Sequence, residues 1–192
     1  MAQALAGLIL GGGVGERFGG PKAFVRLPDG MTFLESCLAV LREAGAVPVA
    51  ATLPPATTEP TPDGLEALTL PAPGMDMLAS LRHGLSRLLE TPGWRVVVVL
   101  PVDHPLVRPE TVRALAAAAT PTAVPVYRGK RGHPVALTRQ FVERLLSGEL
   151  AAATLRDAMK VAGRHDLEVD DPDVASNCNT PEQLAAALAR RR

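Results

Sequence analysis

The chain has 192 residues, enough for one domain with a sizeable core. Its 47% apolar and 21% charged content is that of a water-soluble globular protein, and a formal net charge of zero leaves no electrostatic footprint for nucleic acid or a membrane surface. Cys37 and Cys178 are too few for a disulfide framework and lack metal-site spacing, and no segment reaches transmembrane length.

In chain order, the apolar run Ala4 to Leu10 reads as a buried parallel strand that empties into a glycine-rich loop. That loop interrupts the apolar run before it could serve as a signal peptide, so a cytoplasmic location is expected. Thr32-Phe33-Leu34-Glu35 is a capping box opening a helix through about Ala44, and Val47 to Thr52 is a short strand. Leu53 to Gly64, with four prolines and three threonines, is a surface connection rather than a linker between domains. Leu65 to Leu70 is a further strand. Met77, Leu78, Leu81, Leu85, Leu88 and Leu89 then fall at helical spacing until Thr91-Pro92-Gly93 stops them.

Arg95 to Leu100 carries four consecutive valines and is the central strand, and Pro109-Glu110 begins a helix through Ala119. Strands at Thr122 to Tyr127 and Pro134 to Thr138 flank a basic turn, Arg128 to Gly132. Helices around Gln140 to Leu146 and Thr154 to Ala162 follow, then a strand near Asp166 to Val169. Thr180-Pro181-Glu182-Gln183 is a second capping box with proline at the first helical position. Alternating strands and helices predict a single α/β domain over residues 1–192, a three-layer α/β/α sandwich with a mostly parallel sheet.

The chemistry concentrates at the carboxyl ends of two strands, where such sheets bind their ligands. After the first strand, Gly11, Gly12, Gly13, Gly15, Gly19 and Gly20 expose backbone N–H groups, and Arg17 and Lys22 add charge, the makings of a phosphate loop. Lys22 is followed by Ala23, so the loop is not of the Walker type, and no register supplies the glycine spacing of the dinucleotide fingerprint. Only three of the twenty cationic residues are lysines, so a lysine here suits a need for a compact, mobile ammonium, in a loop expected to be exposed. After the valine strand, Asp103 stands where a carboxylate beside a polyphosphate holds Mg²⁺; the alternative is a helix-capping aspartate. His104 reads as a surface or hydrogen-bonded histidine, and Cys37 as a core residue.

Four ordered motifs carry a resemblance that covers nearly the whole chain: the segment Leu10 to Lys22; Gly74-Met75 with Ser80-Leu81-Arg82 and Gly84-Leu85; Asp103-His104-Pro105; and Asn177-Cys178-Asn179-Thr180-Pro181-Glu182. Together they resemble the nucleotidyltransferases with a glycosyltransferase-A-like, Rossmann-like fold, within them the MobA-like branch that attaches GMP or CMP to molybdopterin. The resemblance implies that Leu10, Gly11, Gly12, Gly13 and Gly15 cradle base and triphosphate, with Ala79, Ser80 and Leu81 near base or ribose. It implies that Arg17 and Lys22 contact phosphates, that Asp103 binds Mg²⁺ joined by Asn177 and Asn179, and that His104 and His133 face the acceptor. The partners implied are a nucleoside triphosphate and a phosphorylated small molecule, with no nucleic acid and no membrane.

The motifs divide over the base. Gly12, Asn177 and Asn179 match guanylyl members, whereas Pro21-Lys22 and Gly132-His133-Pro134 look cytidylyl-like. The cytidylyl branch's acidic glycine loop is replaced by Ala151-Ala152-Ala153-Thr154, and the reading leans to GTP. A sugar or polyol phosphate is the alternative acceptor. A nucleotide-binding or partner-binding protein without turnover is the alternative of another class, motivated by asparagines where charged ligands could stand.

Overall fold

The computed structural model describes residues 4–13 and 18–191. Their eight strands form one sheet: β1 (Leu5–Leu10), β2 (Ala46–Leu53), β3 (Glu66–Thr69), β4 (Val96–Pro101), β5 (Thr122–Tyr127), β6 (Lys130–Arg131), β7 (Val135–Thr138) and β8 (His165–Glu168). The order is β3-β2-β1-β4-β7-β5-β6, with β8 pairing β5. β1 lies parallel to β2 and β4, β2 to β3, and β5 to β8, whereas β7 runs antiparallel to β4 and β5. The basic turn contributes a two-residue strand, β6, rather than loop alone.

Among the described residues six α-helices cover the sheet: α1 (Phe33–Glu43), α2 (Met77–Leu89), α3 (Pro109–Ala118), α4 (Arg139–Leu146), α5 (Leu155–Ala162) and α6 (Pro181–Ala189). Alternation along the strands divides the core in two. Leu5, Ile9, Val96, Val98 and Leu100 pack against Leu34 and Leu41 of α1 and Val112 and Leu115 of α3. Ala6, Leu8, Val97 and Val99 pack against Leu81 and Leu85 of α2, Phe141 of α4 and Met159 of α5. This is the expected three-layer sandwich. Cys37 lies in the first core, fully buried.

The Thr32 capping box forms in full: the Thr32 hydroxyl accepts from the Glu35 N–H, and the Glu35 carboxylate accepts from the Thr32 N–H. At Thr180 only half of the expected box forms. Its hydroxyl accepts the Gln183 N–H at 3.3 Å, but Gln183 Oε1 takes the N–H of Asn179, one residue further back, at 2.8 Å. The side chain thereby fixes an asparagine of the site instead of closing the helix. Among the described residues no helix is long and apolar enough to cross a membrane.

Candidate functional site

Register aligns the carboxyl end of β1 with that of β4, Leu10 opposite Pro101. The Val102 N–H donates to the Leu10 carbonyl at 3.0 Å, and the His104 N–H to the Pro101 carbonyl at 3.1 Å, turning the chain so that Asp103 stands at the sheet edge. Between this turn and the glycine loop lies a cleft of about 320 Å³, lined among others by Gly12, Gly13, Lys22, Ser80 and Asp103.

The glycines have different reasons. A Cβ at Gly11 would lie 3.0 Å from the Thr52 carbonyl oxygen, to which the Gly11 N–H donates at 2.9 Å. A Cβ at Gly12 would overlap Cδ1 of buried Leu70, and one at Gly13 would meet open space. Gly13 leaves its backbone bare toward the cleft, and Gly12 lets Leu70 close the floor beneath it. Gly15 and Arg17 lie outside the described residues.

Lys22 opens a short 3-10 helix, Lys22–Phe24, directly after Pro21. Its side chain is only 23% exposed, not the exposed loop residue expected, because its ammonium is drawn down onto the Asn179 Oδ1 and lies 3.7 Å from Asp103 Oδ2. Asp103 is not a helix cap: Arg108 occupies the N-cap of α3. The Asp103 carbonyl accepts the Cys178 N–H at 2.8 Å, which docks the Asn177–Asn179 segment against the β4 turn. Three residues from the start, middle and end of the chain therefore converge: Lys22, Asp103 and Asn179.

Other expected residues separate from this group. Ser80, 7% exposed, lines the cleft on the first turn of α2, while the Ala79 N–H is spent on the N-cap Asp76 at 2.8 Å. Asn177 lines a neighbouring cavity of about 330 Å³ together with His104, His133 and Arg131. Of the two expected readings His104 is the hydrogen-bonded histidine, buried at 2% exposed, and not the surface one. Its Nδ1 is 3.2 Å from the Asp173 carbonyl, an acceptor, so Nδ1 carries the proton and Nε2 presents a lone pair, buried without a partner and 4.0 Å from Asp103 Oδ1. The His133 ring lies 5.2 Å from that of His104. Burial lowers the His104 pKa against the opposing pull of Asp103, and burial with the neighbouring His104 lowers that of His133 to about 4. Both imidazoles are neutral near pH 7.

Sequence reasoning did not assign Met77, which lines the cleft, Leu70, which packs behind Gly12, or Asp171 and Asp173, which hold the segment carrying the asparagines. Asp171 accepts from the Arg108 N–H and the Thr111 hydroxyl, and Asp173 from Arg190. A polar residue recurring in an Asp-Asp-Pro-Asp run was the available signal.

A divalent cation finds at Asp103 a carboxylate with no protein hydrogen-bond donor among the described residues, beside the amide oxygen of Asn179. Among the described residues there is no group of three or more His, Cys, Asp or Glu that could enclose a metal. That sparse set fits a cation of the Mg²⁺ kind, which takes one or two carboxylates and completes its octahedron with phosphate oxygens and water.

Comparison with known proteins gives four findings. Residues 7–169 match the model of the MobA-like NTP transferase domain. A molybdenum cofactor guanylyltransferase of Rhodobacter capsulatus is 32% identical over 98% of this chain and 97% of its own. Crystal structures of Rv0371c from Mycobacterium tuberculosis match at 26% identity and TM-score 0.79, covering 98% of this chain and 99% of theirs, and, in complex with manganese, at 25% and 0.76, covering 97% and 99%. A 2-C-methyl-D-erythritol 4-phosphate cytidylyltransferase of Thermus thermophilus matches at 25% identity and TM-score 0.66, over 96% of this chain and 98% of its own.

Proposed function

Since this chain belongs to the MobA-like NTP transferase family and is a nucleotidyltransferase, we propose that it transfers GMP from GTP to the phosphate of molybdopterin, releasing pyrophosphate, with Mg²⁺ as the cation. The observation that carries this reading is the convergence of Lys22, Asp103 and Asn179 at the rim of a cleft floored by Gly12 and Gly13.

The reaction is an in-line displacement. An oxygen of the acceptor's phosphate forms a bond to the α-phosphorus, and the bond from that phosphorus to the bridging oxygen of the β-phosphate breaks. Such a transfer asks the protein for positioning and charge neutralisation rather than a covalent nucleophile. Gly12 and Gly13 offer N–H groups and room for the triphosphate, while Gly11, its N–H held by the Thr52 carbonyl, fixes the start of the loop; Ser80 offers a hydroxyl toward base or ribose. Lys22 exchanges Asn179 for phosphate oxygens, carrying a positive charge to where negative charge builds on the leaving group; Arg17 is assigned the same task. Asp103 and Asn179 would hold Mg²⁺, which neutralises phosphate charge when bound. Asn177, His104 and His133 line the adjoining cavity and are assigned to the acceptor's side.

The test is pyrophosphate release by the purified protein with GTP, CTP, ATP and UTP, with molybdopterin as acceptor, in Mg²⁺, in Mn²⁺ and in chelator. Turnover with GTP and Mg²⁺ that chelation abolishes is expected. Nucleotide binding without turnover on any acceptor would instead identify a sensor.

A further inference from the structure

Beside the nucleotide cleft lies a second cavity of about 350 Å³, whose wall is largely Leu78, Leu81, Val99, Val135, Leu155 and Met159. The two are contiguous, sharing Leu10, Met77 and Pro101. A molecule lying across that border has one end at Asp103 and its body among aliphatic side chains. At the far side His133, Val135, Arg156 and Met159 are shared with the third cavity, so Arg156 stands on the ridge between the two.

Three arginines line the third cavity: Arg131, Arg156 and Arg164. Arg131 grips Asp166 with two nitrogens, and Arg164 donates to the same carboxylate at 2.9 Å. No carboxylate among the described residues pairs with Arg156. Asp76, the acidic residue of the apolar cavity, is committed to the N-cap of α2. Next to Arg156 in the same wall, His133 buries an Nδ1 that has no hydrogen-bond partner. An aliphatic chamber thus ends at an exposed guanidinium with no carboxylate partner among the described residues and at a buried imidazole nitrogen without a hydrogen-bond partner. Buried polar atoms without partners are uncommon and mark places where a ligand or ion completes the bonding.

We propose that Arg156 selects the acceptor: the apolar cavity takes the body of a ring-bearing phosphate ester, and Arg156 grips an oxygen-rich or anionic edge of that ring. The inference rests on the transferase reading and deepens it. A guanidinium presents two parallel donors in one plane, which match a flat ligand edge and do not match the staggered hydroxyls of a polyol chain. Those hydroxyls would also be buried against Leu78, Leu81 and Met159 with no partner. Arg156 is a binding residue for the acceptor and takes no part in the bond changes at phosphorus.

Pyrophosphate release is measured for the wild type, Arg156→Gln and Arg156→Lys, with GTP held saturating and either molybdopterin or 2-C-methyl-D-erythritol 4-phosphate varied. Arg156 is exposed, so the variants should keep the wild-type thermal midpoint, measured alongside. Arg156→Gln is expected to raise KM for molybdopterin on the order of 10- to 100-fold, with kcat and KM for GTP within about twofold, as for loss of a charged hydrogen-bond pair. Arg156→Lys should recover part of that loss, and the polyol phosphate should give no turnover. An unchanged KM for molybdopterin in Arg156→Gln, or polyol phosphate turned over at a similar KM, overturns the assignment while leaving the transferase reading standing. A wild type that releases no pyrophosphate with either acceptor brings down that reading, and this inference with it.

Discussion

Lys22 is held by Asn179 and Asp103 while remaining partly open to the cleft, so its contribution divides between fold and reaction. Lys22→Ala removes an ion pair of the partly solvated kind, worth about 1 kcal/mol or less, and the thermal midpoint should move little. Turnover should fall by roughly two to three orders of magnitude, the effect of losing one preorganised donor to the transition state. Unchanged turnover would take Lys22 out of the mechanism. Asp103→Asn should nearly abolish turnover at little cost in stability. His104→Ala should do the reverse, since emptying a buried ring site costs roughly 2–5 kcal/mol; denaturant melts beside kcat separate the two. At Gly12 the first obstacle to a methyl is Leu70, with the Ser80 hydroxyl 3.8 Å away. Gly12→Ala displaces Leu70 within the floor of the cleft, and the ratio of kcat/KM for GTP to that for CTP should fall by roughly 1–3 kcal/mol, the range for a methyl-sized change in a pocket. A wild type that already prefers CTP would remove the guanylyl preference.

The elements that build the nucleotide side were legible because local signals agree with the fold. The apolar run of β1, the four valines of β4 and the Thr32 capping box each occupy the places their patterns predict. The other side depends on pairings that sequence does not carry. β7 reverses between β4 and β5, so it brings its first residues, not its last, to the edge where β4 ends. That reversal sets His133 beside His104, a contact between residues with no periodicity in common. The burial of His104 and of Lys22 was missed for the same reason, since each is covered by residues about 70 or more positions away. Gly132 is the hinge of the arrangement. A Cβ there would overlap the carbonyl of Val174, to which the His133 N–H donates at 2.9 Å. Because the obstacle is backbone, Gly132→Ala should destabilise the protein by roughly 2–4 kcal/mol, in the range of strained core substitutions. It should also weaken acceptor binding more than GTP binding. A thermal midpoint equal to the wild type's would show that the contact is dispensable.

At the scale of the whole molecule, burying two neutral imidazoles couples folding to pH. Below the ordinary histidine value of about 6.5 the unfolded chain takes up protons that folded His133, at about 4, and folded His104 refuse. Stability should therefore be full above about pH 6.5 and should fall as the pH drops toward 4. His133 alone accounts for about 3 kcal/mol of that loss. Asp173, whose carboxyl burial raises, opposes the fall in the lower part of that window. Denaturant unfolding of the wild type and His133→Gln at several pH values measures this; equal slopes would refute the assignment. The bond from Lys22 to Asn179 joins positions 157 apart. During synthesis the glycine loop and Asp103 leave the ribosome long before Asn179, so a nascent chain possesses most of the cleft but lacks the anchor that holds its ammonium. Since Asn179 is also assigned to Mg²⁺, the Mg²⁺ dependence of nucleotide binding by stalled chains of increasing length would report when the segment carrying Asn179 docks.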